Sequence, residues 1–574
     1  MKILGLNLGH DSSCSIMKDN QLIAACEEER YTKKKHIRQF PYKAIKDCLK
    51  LSGLKISEID KICVGCMPNR YIKQFFIKPL EKNISHFDQI FTSKKRIMSM
   101  LNMEASIRKK LQFKKKLEFF NHHKCHLASS YFLSNFKNSI LISLDGVGEI
   151  ESGIFGVGSN DSLKILKSKN LFPHSLGMIY AAVTFFLGWK PFYDEGIVMG
   201  LAPYGNDKKY IPKTKETYRE VFKKIITYDG KLNYKINLDW VSYHKIRDVW
   251  ISENFIKTFG KKRSVKEKIT NHHKNIAAAL QFRLEEVVLK ILGYLNKEFK
   301  IENLCLSGGV FLNCSLNGKI HDSKIFKNIF IVPASGDNGL AIGASILGLR
   351  KSNKNKKIIC NNFYLGSKYS DVKIKSVLEK YEEKILFTKS EDIIAETAKR
   401  LSNKEIIGWF QSNAEFGPRA LGNRSILSLP RPLSVKNYIN KNVKFRENFR
   451  PFAPAVIYEK SKKYFKLYQE SPHMLIACKV KPNFKKNIIA TVHVNNTARV
   501  QTVTEKTNFI FYKLLEKVEE ITNIPILLNT SFNVKGQPMV NSPVDAIECF
   551  LKYNLDSLII GDYAINKKIN YKEN

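Results

Sequence analysis

KILGLNLGHDSSCSIM (2–17), followed by DNQLIAACEEER (19–30), decides the fold: KILGLNLG (2–9) reads as a short strand ending in the polar HDSSCSIM stretch, and DNQLIAACEEER resumes as a second strand after an Asp-Asn turn. A strand, a turn rich in small and hydroxylated residues, and a returning strand form a hairpin whose backbone amides can cradle an anion. PYKAIKDCLKLSGL (41–54) then switches to helical spacing, with Pro41 suited to a first turn. Outward from this opening the alternation continues. NSILISLDG (138–146) reads as a buried strand and NIAAALQFRLEEVVLKILGYL (275–295) as a long helix. NLCLSGG (303–309) and NIFIVPASGDNG (328–339) read as strands running into glycine turns. Strand and helix alternate over some 340 residues, which predicts an α/β architecture. No internal repeat is visible in the sequence.

The apolar-free tract RKSNKNKK (350–357) has the character of a linker, so one domain is expected over 1–350 and a second over 358–574. In the second, KEIIGWF (404–410), IPILLNT (524–530) and DSLIIGDYAI (556–565) read as strands. Residues 67–118 and 206–270, rich in Lys and aromatics, interrupt the pattern and are expected to carry partner or acceptor specificity.

With 574 residues the chain is long enough for about two to four domains. Gly 30 and Pro 18 are too few for a disordered or low-complexity polymer. The net charge of +42 draws polyanions, whether nucleic acid, anionic lipid or phosphorylated small molecules. Tracts such as KKKHIR (33–38) and KKLQFKKK (109–116) are read as surface coat. The 11 cysteines are scattered through apolar runs, and the one CxxC, Cys63 to Cys66, has no second pair, so reduced buried thiols and a cytoplasmic location are expected. IYAAVTFFLGW (179–189) is too short to span a bilayer, so no membrane partner is expected.

Chemistry concentrates in a few places. NHHKCHLASSYFLSNF (121–136) has helical spacing with Asn121 as N-cap, which puts His122 and His126 on one face and turns His123 elsewhere. Two imidazoles one turn apart, joined by the strand-end carboxylates Asp145 and Asp337, would make an N2O2 site for a divalent transition metal such as Fe(II). In the HDSS turn, His10 offers a proton acceptor, and Asp11 and Ser12 offer polar groups for a substrate. Gly308 and Gly309 in CLSGGVFLN (305–313), with Asn313 beyond them, would let backbone approach a nucleotide. In the second domain, EFGPRALGNRSIL (415–427) carries Arg419 and Arg424, and NVKFRENFRPFAP (442–454) carries Lys444, Arg446 and Arg450. TARVQTV (497–503) carries Arg499, and LLNTSFNVKGQP (527–538) carries Asn529, Thr530 and Ser531. Guanidinium forks from separate turns can converge on a polyanion that no single turn could hold.

These motifs, in this order over nearly the whole chain, together with EEERYTKKKH, HSLGMIYAAVT and VMGLAPYG, resemble the O-carbamoyltransferase family of nodulation and antibiotic-tailoring enzymes. The resemblance implies an N-terminal actin-like ATPase (ASKHA, Kae1-like) domain with a metal and a C-terminal YrdC-like α/β domain. It implies that ATP, with Mg2+, and carbamoyl phosphate give carbamoyl adenylate in the second domain. The carbamoyl group then passes to a small-molecule hydroxyl in the first. By motif, His122, His126, Asp145 and Asp337 would be the metal ligands and His10 the acceptor-activating residue. Arg419, Lys444, Arg450, Arg499, Asn529 and Ser531 would bind phosphate. Phe445, Asn495-Asn496 and Ile197 depart from the family pattern. Two other readings compete: a tRNA-modifying threonylcarbamoyl transferase, favoured by the charge, and a non-enzymatic actin-like nucleotide-binding scaffold. The fusion of both halves with the VKxRE and TARVQTV motifs speaks against nucleic acid as acceptor. A homodimer is compatible with the sequence and not implied by it.

Overall fold

Residues 1–73, 86–212, 214–353 and 357–568 are described by the computed structural model. They form two compact units. The first comprises 1–10, 14–22 and 54–359, and the second 11–13, 23–53 and 360–574. The division near residue 359 falls beside the polar tract, but the second unit also takes in 11–13 and 23–53, which sequence order alone assigns to the first domain.

β1 (Lys2–Asn7), β2 (Ser13–Lys18), β3 (Gln21–Glu27), β4 (Lys61–Val64) and β5 (Lys116–Phe119) belong to a five-stranded sheet of order β3-β2-β1-β4-β5. β1 pairs with β4, and β4 with β5, in parallel. A second sheet is built from β6 (Asn138–Gly148), β7 (Glu151–Ser159), β8 (Ser162–Leu166), β11 (Asn303–Ser307) and β12 (Asn328–Ile331), in the order β12-β11-β6-β7-β8. The hairpin β9 (Ile226–Tyr228) and β10 (Tyr234–Ile236) stands apart from it. Counted from its own first strand, each five-stranded sheet has the order 3-2-1-4-5. The topology is therefore duplicated, although the sequence shows no repeat: strands share an apolar pattern, and many different residues satisfy it. Two sheets of this one order are the architecture of an actin-like fold.

Each sheet is followed by a helix. His122–Ser134 comes after β5, with Asn121 Oδ1 accepting from the Lys124 N–H at 2.9 Å as the expected cap. Leu340–Ser352 comes after β12. The two helices cross at Gly343, where a Cβ would lie 2.0 Å from the Cys125 carbonyl oxygen, so only glycine permits the approach. Residues 179–186 of the 179–189 stretch lie in a buried helix, Leu176–Phe186, and among the described residues no helix is long and apolar enough to cross a membrane.

The second unit holds a nine-stranded sheet. Its strands are β13 (Ile385–Lys389), β14 (Ile407–Phe410), β15 (Arg424–Ser428), β16 (Ala453–Ile457), β17 (Ile476–Lys479), β18 (Thr497–Val503), β19 (Ile526–Ser531), β20 (Ser557–Ile560) and β21 (Tyr563–Lys567). Their order is β13-β21-β20-β14-β15-β19-β16-β18-β17. Helices 509–522 and 393–402 cover one core, built on Trp409, Leu427, Leu514, Leu515 and Leu527.

Candidate functional site

In the first unit, His122, His126, Asp145 and Asp337 converge, each offering one ligand atom within 4.8 Å of the others. His126 Nε2 lies 3.2 Å from His122 Nε2 and 3.1 Å from Asp145 Oδ2, and His122 Nε2 lies 3.6 Å from Asp337 Oδ1. The helix contributes both imidazoles one turn apart, β6 brings Asp145 at its end, and the turn after β12 brings Asp337. Burial opposes the charged form of His126, but hydrogen bonds and charge from Asp145 and Asp337 carry it up to about 9. Burial likewise opposes ionisation of Asp145, yet the two histidines hold its carboxyl well below the usual carboxylate range. A divalent cation would supply positive charge where that proton sits, and two imidazoles with two carboxylates suit a transition metal. Gly309 leaves the room: a Cβ there would stand 3.0 Å from Asp145 Oδ1. His123 faces away, with Nδ1 2.7 Å from Ser143 Oγ and Nε2 3.0 Å from the Glu151 carbonyl.

Two neighbours had no role in the sequence reading. Asn7 donates from Nδ2 to the carbonyls of His10 (2.6 Å) and Asp337 (2.9 Å), and its Oδ1 accepts from the Gly9 N–H (3.0 Å). It thereby ties the turn that carries His10 to the loop that carries a candidate ligand. Glu149, buried, accepts from the N–H groups of Met67 (2.7 Å) and His122 (3.1 Å) and from Asn121 Nδ2 (2.7 Å), fixing the start of the histidine helix. Asn7 could have been flagged as a polar residue interrupting an apolar strand. Glu149 had only its place in LDGVGE to mark it.

In the second unit, Lys444 is 4% exposed and its ammonium donates to Ser531 O (2.7 Å) and Oγ (3.2 Å) and to Asn533 O (2.9 Å) and Oδ1 (2.6 Å). Burial, with Arg446, Lys35 and Arg450 close by, pushes its pKa far down. Arg446, held by Asn440 Oδ1 at 2.7 Å and lying over the Phe452 ring, is pushed down by burial and by Arg450 and Arg499. Burial and the mutual repulsion of these neighbouring cations both disfavour their charged forms. Asn529 donates to Gln501 Oε1 at 2.8 Å, and its own Oδ1 is buried with no partner among the described residues.

Other expected residues are placed differently. Arg424 is fully buried, with Nη1 donating to the Gln411 and Asn423 carbonyls, Nη2 to those of Ser367 and Ser412, and its guanidinium over the Phe410 ring. That fork holds turns together. The Ser12 hydroxyl donates to the Ile37 carbonyl (3.3 Å), and Asp11 Oδ1 meets His36 Nδ1 at 2.7 Å. Asn313 Oδ1 caps a helix at the Leu316 N–H (2.9 Å), and Asn313 Nδ2 donates to Gln281 Oε1 (2.8 Å). Gly308, at φ 90°, runs so close to β6 that a Cβ would lie 2.1 Å from the Leu144 carbonyl oxygen, which accounts for it as strand packing. Thr530 lies in β19, opposite Ile426 of β15.

EEERYTKKKH carries part of the family resemblance, but sequence spacing assigns its residues no chemical role. Arg30 is 4% exposed and pairs through Nε with Glu27 Oε2 (2.9 Å). Its Nη2 donates to the Gly417 carbonyl (2.6 Å), in the turn that carries Arg419, and its Nη1 has no partner among the described residues. Lys35 is half-buried, not surface coat. Burial pushes its pKa down against the pull of Glu29, and Arg450, Arg419 and Arg30 add to the lowering.

Residues 2–346 match the family described as carbamoyltransferase N-terminus, and 398–567 that described as carbamoyltransferase C-terminus. Nodulation protein NolNO of Sinorhizobium fredii is 34% identical over 568 residues, 97% of this chain and 79% of that one. Nodulation protein NolO of Bradyrhizobium diazoefficiens is 35% identical over 458 residues, 78% of this chain and 79% of that one. Among solved structures, HypF of T. kodakarensis is similar with a TM-score of 0.32 and 15% identity, over 61% of this chain and 48% of that one. With both family matches together spanning most of its length, and relatives of 34% and 35% identity over most of the chain, the chain belongs to the carbamoyltransferase family and is a transferase enzyme.

Proposed function

We propose that the protein is an ATP-dependent O-carbamoyltransferase that works in two stages. In the first, carbamoyl phosphate and water give phosphate and carbamate, and the carbamate oxygen attacks the α-phosphorus of ATP, held with its Mg2+, to give carbamoyl adenylate and pyrophosphate in the second unit. Lys444, Arg450, Arg499 and Arg419 bind the phosphate oxygens, Arg446 adds charge, and Asn529 and Ser531 orient the anion. The observation that supports this stage is the buried Lys444 with Arg446 and Arg450 close by, a set of cations that a polyanion would neutralise. In the second, the carbamoyl group passes to a hydroxyl of a small molecule, and AMP leaves.

An alcohol is a poor nucleophile at neutral pH, so His10 takes its proton as the oxygen attacks the carbamoyl carbon. His122, His126, Asp145 and Asp337 would hold a divalent transition metal, Fe(II) among those the donor set suits, and that metal supplies Lewis-acid polarisation of the carbamoyl carbonyl. Asn7 keeps the His10 turn in register with the Asp337 loop. The test is mass spectrometry of the purified protein given ATP, carbamoyl phosphate and a panel of alcohols. Acceptors gaining about 43 Da, with AMP formed in equal amount, are expected; ATP consumption with no carbamoylated product from any alcohol would overturn the reading.

A further inference from the structure

Beside His10 stands a wall of rings that the two-stage reaction leaves without a role. It comes from the turn WKPFYDE (189–195) and from the insertion 206–270. Phe192 has φ 65°, a left-handed conformation that a non-glycine residue holds only when its surroundings force it, and its N–H donates to Glu195 Oε1 at 2.5 Å. From behind, Trp250, 6% exposed, meets the Phe192 ring edge-on with centroids 5.3 Å apart. In front, the Phe192 ring lies against Gly146, the residue after Asp145: a Cβ there would sit 3.4 Å from Phe192 Cε1. The His10 imidazole is 6.1 Å from the Phe192 ring and 6.3 Å from that of Tyr193, tilted at 58° and 84°. Tyr193 is 36% exposed, and Lys190 Nζ lies 3.5 Å from its ring centroid. A strained turn thus holds one half-buried and one exposed aromatic ring at the imidazole and at the strand end bearing Asp145, with an ammonium on the outer ring.

We propose that Phe192 and Tyr193 are the specificity-determining wall for the acceptor, and that they select an alcohol whose hydroxyl is carried on a six-membered ring. The proposal rests on His10 as the base of the transfer step. A ring laid flat on an aromatic side chain buries a whole face at little entropic cost and points an edge hydroxyl sideways, here towards the imidazole. An open-chain alcohol of the same size must freeze several torsions for the same contact. A hydroxylated saturated ring and a purely apolar ring share this chemistry. Lys190 adds a donor that suits the former.

The test is binding in the absence of ATP and carbamoyl phosphate, so its failure would leave the transfer chemistry standing, and failure of transfer would leave the binding result intact. Saturation-transfer NMR on the full chain compares methyl glucoside with sorbitol, and cyclohexanol with n-hexanol. At least one ring is expected to exceed its open-chain partner several-fold, and which one does so tells sugar-like from apolar acceptors. Phe192→Ala and Tyr193→Ala should each cut that ring's signal at least fivefold, and Tyr193→Phe, which keeps the ring face, should retain it. Because Tyr193 is exposed, its alanine variant should keep the wild-type melting temperature, which separates lost binding from lost folding. Equal signals within both pairs, or a ring signal unchanged in Tyr193→Ala, would overturn the proposal.

Discussion

Arg30 lies far in sequence from the turn that carries Arg419 and is nevertheless bonded to it. Nε and Nη2 are held by Glu27 and the Gly417 carbonyl, and the third nitrogen is left buried without an acceptor among the described residues. A buried donor without an acceptor costs about 1–3 kcal/mol, and a phosphate oxygen removes that cost. Arg30→Met should therefore raise the KM for carbamoyl phosphate about tenfold or more in ATP–pyrophosphate exchange; an unchanged KM would make Arg30 a strut for the 417 turn alone. His126 offers the matching test in the first unit. With Nε2 within 3.2 Å of both His122 and Asp145, it cannot be lost without opening the donor set, so His126→Ala should strip a bound transition metal. Elemental analysis showing equal metal in wild type and variant would remove these four residues as ligands.

At the scale of elements, periodicity reveals what one element does by itself and hides what two distant elements do together. HxxxH was legible because both histidines lie on one helix, and Asp145 and Asp337 because strand ends gather ligands in α/β sheets. Arg30 and Lys35 were not, because no spacing rule connects residues 29–36 with a turn at 415–424. Arg424 was misleading for a physical reason: a guanidinium fork fits backbone carbonyls as well as it fits phosphate, and type and spacing cannot tell the two apart. The duplicated sheet order was hidden because pairing needs only an apolar pattern. The insertion 206–270 makes a prediction of its own. His244 is buried there and pushed down to about 4 by that burial, with Lys245 and His174 adding to it. It is neutral when folded but takes a proton when unfolded below about pH 6.5, so its contribution to stability is complete above that pH and falls away as pH drops towards 4. Between pH 7 and pH 5 this should amount to about 2 kcal/mol in urea unfolding, given 1.36 kcal/mol per pH unit. His244→Asn should lack that slope, and an identical slope in the variant would place the acid sensitivity elsewhere.

For the whole molecule, the decisive fact is that the two clusters lie in different units: His10 with the histidine-carboxylate group in one, the Lys444 group in the other. If each performs one stage, a lesion in either should fail in its own stage only. Arg450→Ala removes a cation from the crowded group and should lower ATP–pyrophosphate exchange by about a hundredfold, or 2.7 kcal/mol of barrier. His10→Asn keeps a polar side chain of similar reach but cannot accept the hydroxyl proton, so exchange should stay near wild type while transfer stops. Synthetic carbamoyl adenylate bypasses the first stage, so it should restore product formation to Arg450→Ala and leave His10→Asn inactive. A shared defect, with both variants failing in exchange and neither rescued, would mean that one composite site carries both stages. The net charge of +42 bears on the same experiment. If the cations that matter are the buried ones, exchange should depend weakly on salt, because buried charges are poorly screened; a steep loss between 50 and 200 mM salt would instead point to exposed lysines gripping a polyanion such as tRNA.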